Sequence, residues 1–141
     1  MYVSALLANK GAAVVTATPD ITVDQAAALL AEKKIGVLVI SANGMRVDGI
    51  LSERDIVRAL PAKGSKLGSV AASELMSRDV VSCAPGDTIS SLMVLMTERR
   101  IRHLPVLDDG VVAGIVSIGD IVKHHLAEIE SEAEALRQYV A

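Results

Sequence analysis

Gly49-Ile50-Leu51-Ser52-Glu53-Arg54-Asp55-Ile56-Val57 and Gly114-Ile115-Val116-Ser117-Ile118-Gly119-Asp120-Ile121-Val122 carry the same residue at six of nine positions. Upstream, after a one-residue change of offset, Pro19–Gly44 aligns on Pro85–Gly110 with seven of 26 pairs identical: Pro19/Pro85, Thr22/Thr88, Leu29/Leu95, Glu32/Glu98, Ile35/Ile101, Leu38/Leu104 and Gly44/Gly110. Ordinary residue usage gives a chance match at roughly one position in 15 to 20. The chain is therefore an internal duplication, with copies over 1–69 and 70–141.

Each copy reads as β-α-β-β-α. Val14–Thr16 and Val80–Ser82 are short apolar strands ahead of a proline. Thr22 and Thr88 are helix N-caps, and Gln25 completes a capping box in the first copy. Val23, Ala26, Ala27 and Leu30, and in the second copy Ile89, Leu92, Met93 and Met96, follow helical spacing and mark the core-facing stripe of an amphipathic helix. Gly36–Ser41 and Leu104–Leu107 are strands leading into turns at Asn43-Gly44 and Asp108-Asp109-Gly110, residue types that tolerate positive φ. Val47–Leu51 and Val111–Val116 return, and helices follow over Asp55–Leu60 and from Asp120. Pro61–Ser69 is the linker, and Ser4–Ala8 and Val70–Met76 are lead-in helices. The fold class is α/β (α+β).

Bulk properties narrow the function. Apolar residues make up 51% of 141, yet only Tyr2 and Tyr139 are aromatic, so aliphatic side chains must fill the interior. A formal charge of −3 disfavours nucleic-acid binding, which needs a basic surface. Cys83 is the one cysteine and excludes an internal disulfide. No run approaches 18 apolar residues and no signal peptide is evident, so a soluble cytoplasmic protein without membrane contact is expected. His103, His124 and His125 lack metal-site spacing, and neither a Walker-type loop nor a Gly-x-Gly-x-x-Gly fingerprint occurs. Neither serine lies in a nucleophile elbow. The reading is of a non-enzyme.

The best-matched segment, Gly-apolar-apolar-Ser-x-x-Asp, stands where a strand becomes a helix. That junction gathers unpaired N–H groups and the positive end of the helix dipole, which suits phosphate. An aspartate there can accept bonds from vicinal ribose hydroxyls. Ser-x-x-Asp is also a capping box, which needs no ligand. A cap is made equally well by Asn or Thr, so finding Ser and Asp twice calls for a further cause.

These residues, together with Arg102-His103-Leu104-Pro105-Val106, make the chain resemble the cystathionine-β-synthase (CBS) domain family over nearly its whole length, as a tandem pair or Bateman module. The first copy departs from the family at Gly36-Val37-Leu38-Val39-Ile40, which has no proline. The resemblance implies two repeats packed about a pseudo-twofold axis, with clefts that take AMP, ADP or ATP, and S-adenosylmethionine or NAD(H) in some members; AMP is favoured here. It implies that Asp55 and Asp120 meet ribose, and that Ser52 and Ser117 meet phosphate or ribose. Thr16, Ala17 and Thr18, with Ser82, Cys83 and Ala84, would lie along the adenine. Ile35, Gly36, Val37 and Leu38, with Arg102, His103 and Leu104 and the adjoining Pro105, would form the opposing wall.

The two copies are expected to differ. Arg54, with Arg58 a turn later, can reach phosphate bidentately in the first. In the second, Gly119 replaces Arg54 and lets a ligand approach the backbone, while Arg99, Arg100, Arg102 and His103 form a separate basic group. Beyond the repeats, Val122, Leu126, Ile129, Ala133, Leu136 and Val140 recur at heptad-like spacing, which suits either docking on the chain's own core or a homodimer, the latter being favoured. The leading function is a nucleotide sensor read by an unknown effector protein; the alternative is an interaction module with vestigial pockets.

Overall fold

The computed structural model describes residues 1–140. The helices are α1 (Val3–Lys10), α2 (Val23–Lys33), α3 (Glu53–Lys63), α4 (Ala72–Leu75), α5 (Ile89–Arg99) and α6 (Ile118–Val140). The strands are β1 (Thr16–Ala17), β2 (Val37–Ile40), β3 (Gly49–Ser52), β4 (His103–Asp108) and β5 (Val111–Ser117). In the first repeat β1 runs parallel to β2, and β2 antiparallel to β3. In the second, β4 and β5 form an antiparallel ribbon with a register shift at Val106/Leu107. The expected strand over Val80–Ser82 is absent. A single parallel bridge from Cys83 to Val106 takes its place, at the position equivalent to Ala17 in β1. The first strand likewise lies over Thr16–Ala17 rather than Val14–Thr16.

Local chemistry accounts for the helix ends. Thr22 and Gln25 form the reciprocal capping box, and Thr88 Oγ1 accepts the Ser91 N–H at 3.1 Å. Both α2 and α5 end on a residue in the left-handed region, Lys34 (φ 55°) and Arg100 (φ 54°), at equivalent places. The hairpins differ. Asp109 and Gly110 both take positive φ and close a two-residue turn. Asn43-Gly44 instead belongs to a longer loop in which Asn43 Oδ1 accepts the N–H groups of Met45 and Arg46. The Pro61–Ser69 segment is ordered structure rather than a loose linker. α3 continues through Pro61 to Lys63, and a 3₁₀ helix over Gly64–Ser69 buries Leu67.

The lead-in helices are exchanged between the repeats. Val3, Leu6 and Leu7 of α1 are buried with Ile89, Leu92, Met96, Leu104, Val106, Val116 and Ile121, the core of the second repeat. Ala72 and Met76 complete the first repeat's core of Ala26, Leu30, Leu38, Ile40 and Leu51. An eight-residue helix is too short to persist alone. Burying side chains such as Val3, Leu6 and Leu7, at about 1.5–3 kcal/mol each, holds α1 on its distant partner. This exchange explains the glycine that opens each repeated motif. A Cβ at Gly114 would lie 2.8 Å from Leu7 Cδ2, and one at Gly49 would lie 2.6 Å from Met76 Sδ and 2.9 Å from the Ser77 carbonyl oxygen. No helix among the described residues is long and apolar enough to cross a membrane.

Candidate functional site

The repeated motif folds identically in both copies. At the start of α3, Ser52 Oγ accepts the Asp55 N–H at 3.1 Å and Asp55 Oδ2 accepts the Ser52 N–H at 2.8 Å. At the start of α6 the same pair of bonds joins Ser117 and Asp120, at 3.1 and 2.9 Å. Each helix start is also tied to the strand before the hairpin: Glu53 N–H donates to Gly36 O and Ile118 N–H to Arg102 O. Both Ser-x-x-Asp sequences are therefore capping boxes in the folded chain.

Around the first box a cleft of about 330 Å³ opens, within the range of small-molecule sites. It is built from both repeats. Gly36, Val37, Ile50, Ser52, Glu53, Arg54, Asp55 and Arg58 come from the first; Ser77, Asp79, Val80, Val81, Arg100, Ile101, Arg102, His103 and Pro105 come from the second. A backbone pair fastens the halves together beside it. Ile50 and Ser77 exchange backbone hydrogen bonds of 3.0 and 2.9 Å. Across the cleft, a Cβ at Gly36 would lie 3.6 Å from Glu53 Oε1 and 3.8 Å from His103 Cε1, in ordinary contact with both, so the glycine brings the two repeats' side chains together at that corner. Four arginines face three carboxylates in the lining, which holds no Phe, Tyr or Trp.

Of the residues singled out from sequence, Ser52, Arg54, Asp55, Gly36, Val37, Arg102, His103 and Pro105 thus come together at one cleft. Thr16, Ala17, Thr18, Ile35, Leu38, Leu104, Ser82, Cys83 and Ala84 are not in its lining. Leu38 and Leu104 are fully buried in the two cores, and Cys83 is nearly so. Ser117, Gly119 and Asp120 are likewise not in its lining, though Ser117 pairs in register with His103, which is. Ser77, Asp79 and Arg100 were not linked to this box from sequence, because they reach it only through the pairing of the repeats.

The second box carries a contact that the first does not. Lys10 Nζ, at the end of α1, donates to Asp120 Oδ2 at 2.6 Å and to Ile115 O at 2.7 Å. Burial alone would raise the Asp120 carboxyl, but the Lys10 bond, two bonds with Ser117 and the ammonium charge outweigh it and hold the group below its ordinary range. His103 lies between the two boxes. Burial pushes its imidazole below the ordinary value, opposed by the Asp120 and Glu53 charges and reinforced by Lys10 and Arg102. Among the described residues no cluster of His, Cys, Asp or Glu has the makings of a metal site.

The family model for the CBS domain matches residues 10–62 and again 72–127. The chain belongs to the CBS-domain family. As a CBS pair it is similar to CBS domain-containing protein YhcV of Bacillus subtilis (32% identical over 87% of this chain and 86% of that one). It is also 32% identical to the mitochondrial CBS domain-containing protein CBSX3 of Arabidopsis thaliana, of whose length it spans 62%. Among solved structures, the CBS-domain containing protein ATU1752 from Agrobacterium tumefaciens superposes with a TM-score of 0.85 at 42% identity, covering 89% of this chain and 99% of that one. The CBS domain pair of protein MJ0100, solved in complex with 5-methylthioadenosine and S-adenosyl-L-methionine, superposes with a TM-score of 0.79 at 26% identity, covering 91% and 98%.

Proposed function

We propose that this CBS pair is a regulatory sensor that binds an adenosine compound, AMP before ADP or ATP, with NADH and S-adenosylmethionine as alternatives, in the cleft at Ser52–Asp55. One observation carries the reading: the N-terminus of the 11-residue α3 opens on a cleft that also holds Arg54, Arg58, Arg100 and Arg102. The positive end of the helix dipole with the guanidinium groups suits a phosphate, and Asp55, whose bond to Ser52 uses only Oδ2, offers an acceptor for ribose. MJ0100 holds two adenosine compounds on the same fold, which supports the ligand class. The Ser117–Asp120 box is proposed as the weaker site, because Lys10 already neutralises Asp120. The role is non-catalytic and the acting unit is a homodimer. Ligand shifts the arrangement of the two repeats, which an effector protein reads; the ligand must prefer one arrangement for any signal to follow.

The test is thermal unfolding of the full chain with AMP, ADP, ATP, NADH and S-adenosylmethionine, repeated with Asp55→Ala and Asp120→Ala. A ligand at 100 times its dissociation constant adds about 2.7 kcal/mol. Asp55→Ala should abolish that gain while Asp120→Ala preserves most of it. Silence with every compound, or indifference to Asp55→Ala, refutes the reading and leaves an interaction module with vestigial pockets. Turnover of a nucleotide would refute the non-catalytic role.

A further inference from the structure

From Leu126 onward α6 leaves the body of the protein. Ile121 is buried in the second core, whereas Val122, Leu126, Ile129, Leu136 and Val140 are 49–77% exposed along one unbroken helix. With Ala133 they form a stripe spaced 4-3-4-3-4, which places Leu126, Ala133 and Val140 at heptad position a and Val122, Ile129 and Leu136 at d. An exposed apolar stripe of this kind marks a helix face without a partner in the monomer.

The flanking charges specify the partner and its direction. Lys123, Glu130 and Arg137 fall at position e; His125 and Glu132 fall at g. In a parallel pair each g residue meets the e residue of the next heptad on the other helix. That sets Glu132 against Arg137 of the partner subunit and His125 against Glu130 of the partner subunit, and symmetry makes each contact twice. In the antiparallel register that keeps all six apolar layers, Lys123 would meet Arg137 of the partner subunit, and Glu130 and Glu132 would each meet their own copy. Those contacts are repulsive. The Arg137–Glu134 pair along the helix, 3.2 Å, is exposed at both ends and too weak to compete.

We propose that α6 from Val122 onward pairs in parallel, as a two-stranded coiled coil, with the same helix of a second copy of this chain. The proposal rests on the self-association proposed above and supplies its geometry.

Sedimentation equilibrium on the full chain is expected to give a dimer at micromolar concentration. Leu136→Cys should cross-link between subunits on mild oxidation, since equivalent d positions face each other in a parallel pair. In the antiparallel register the two cysteines would be about 15 Å apart along the axis, beyond disulfide reach. Ile129→Asp with Leu136→Asp should raise the dissociation constant about 100-fold or more. Glu132→Arg should weaken association, and Glu132→Arg with Arg137→Glu should restore it. A monomer overturns self-association itself. A dimer that neither cross-links at position 136 nor responds to the two aspartates overturns the parallel seam and leaves self-association standing. Ligand binding at Asp55 is measured separately and decides neither.

Discussion

Lys10 Nζ lies 2.6 Å from Asp120 Oδ2, while the equivalent aspartate, Asp55, faces an open cleft. A lysine from the first helix of the chain thereby occupies the carboxylate of the last one. The Ser-x-x-Asp box makes the same two bonds in its two places and sits in two different electrostatic surroundings.

That contact predicts a pH-dependent cost. Lys10→Met should destabilise the chain by about 1 kcal/mol at neutral pH, as expected for a half-buried pair. The folded Asp120 carboxyl titrates below its ordinary 3.8, so its stabilisation is full above that value and fades as pH falls through the lower, folded one. Urea unfolding of both proteins at pH 7 and near pH 3 should show the difference shrinking in acid. Under the proposed function, the same variant should raise ligand stoichiometry by calorimetry from one towards two.

His103 should titrate in NMR with a midpoint below its ordinary 6.5. Because the folded value is the lower one, the neutral ring is favoured on folding. Stability is complete above 6.5 and declines as pH falls from there towards the folded value. Asp120→Asn removes the largest opposing charge and should lower the midpoint further; Lys10→Met should raise it.

Gly49→Ala and Gly114→Ala should both destabilise, by about 1–3 kcal/mol for an overpacked site, and unequally. The new methyl at 114 meets the far end of Leu7, which can shift. The one at 49 meets a backbone oxygen at Ser77 as well as Met76 and has nowhere to move. Chemical denaturation should rank Gly49→Ala as the costlier change, and Leu7→Ala should relieve only Gly114→Ala.

Cys83 should resist thiol reagents while the chain is folded. Burial, with a contribution from the Asp87 charge, pushes its thiol up to about 11, and the side chain is 5% exposed. Alkylation at pH 8 should therefore be slow in buffer and become rapid in denaturant.

Local patterns were read well from the sequence because their causes are local. The Thr22 cap with Gln25, the Asp109-Gly110 turn and the stripes through Leu30 and Leu92 each depend on residues a few positions apart, although the stripes are narrower than expected: Val23, Ala26 and Leu30, and Ile89, Leu92 and Met96, are buried, whereas Ala27 and Met93 are exposed. Val80–Ser82 has the apolar character of a strand, yet pairing falls to Cys83 alone, since a strand needs a neighbour in register and not only suitable side chains. The cleft was half legible. Ser52 and Asp55 were marked by repetition. Ser77 and Asp79 enter only because Ile50 pairs with Ser77, and Leu7 against Gly114 spans almost the whole chain; nothing in either neighbourhood announces a partner that distant.

The exchanged lead-in helices bear on the origin of the chain. A polypeptide with one copy alone would keep a core that the other copy's arm completes here, and an arm that packs here on the other copy's core. It could reach the present packing only by trading arms with a sister chain. The tandem pair is then what such a swapped dimer becomes when its two chains are fused end to end, and cutting it again near Ser69 should yield halves that fold only when mixed.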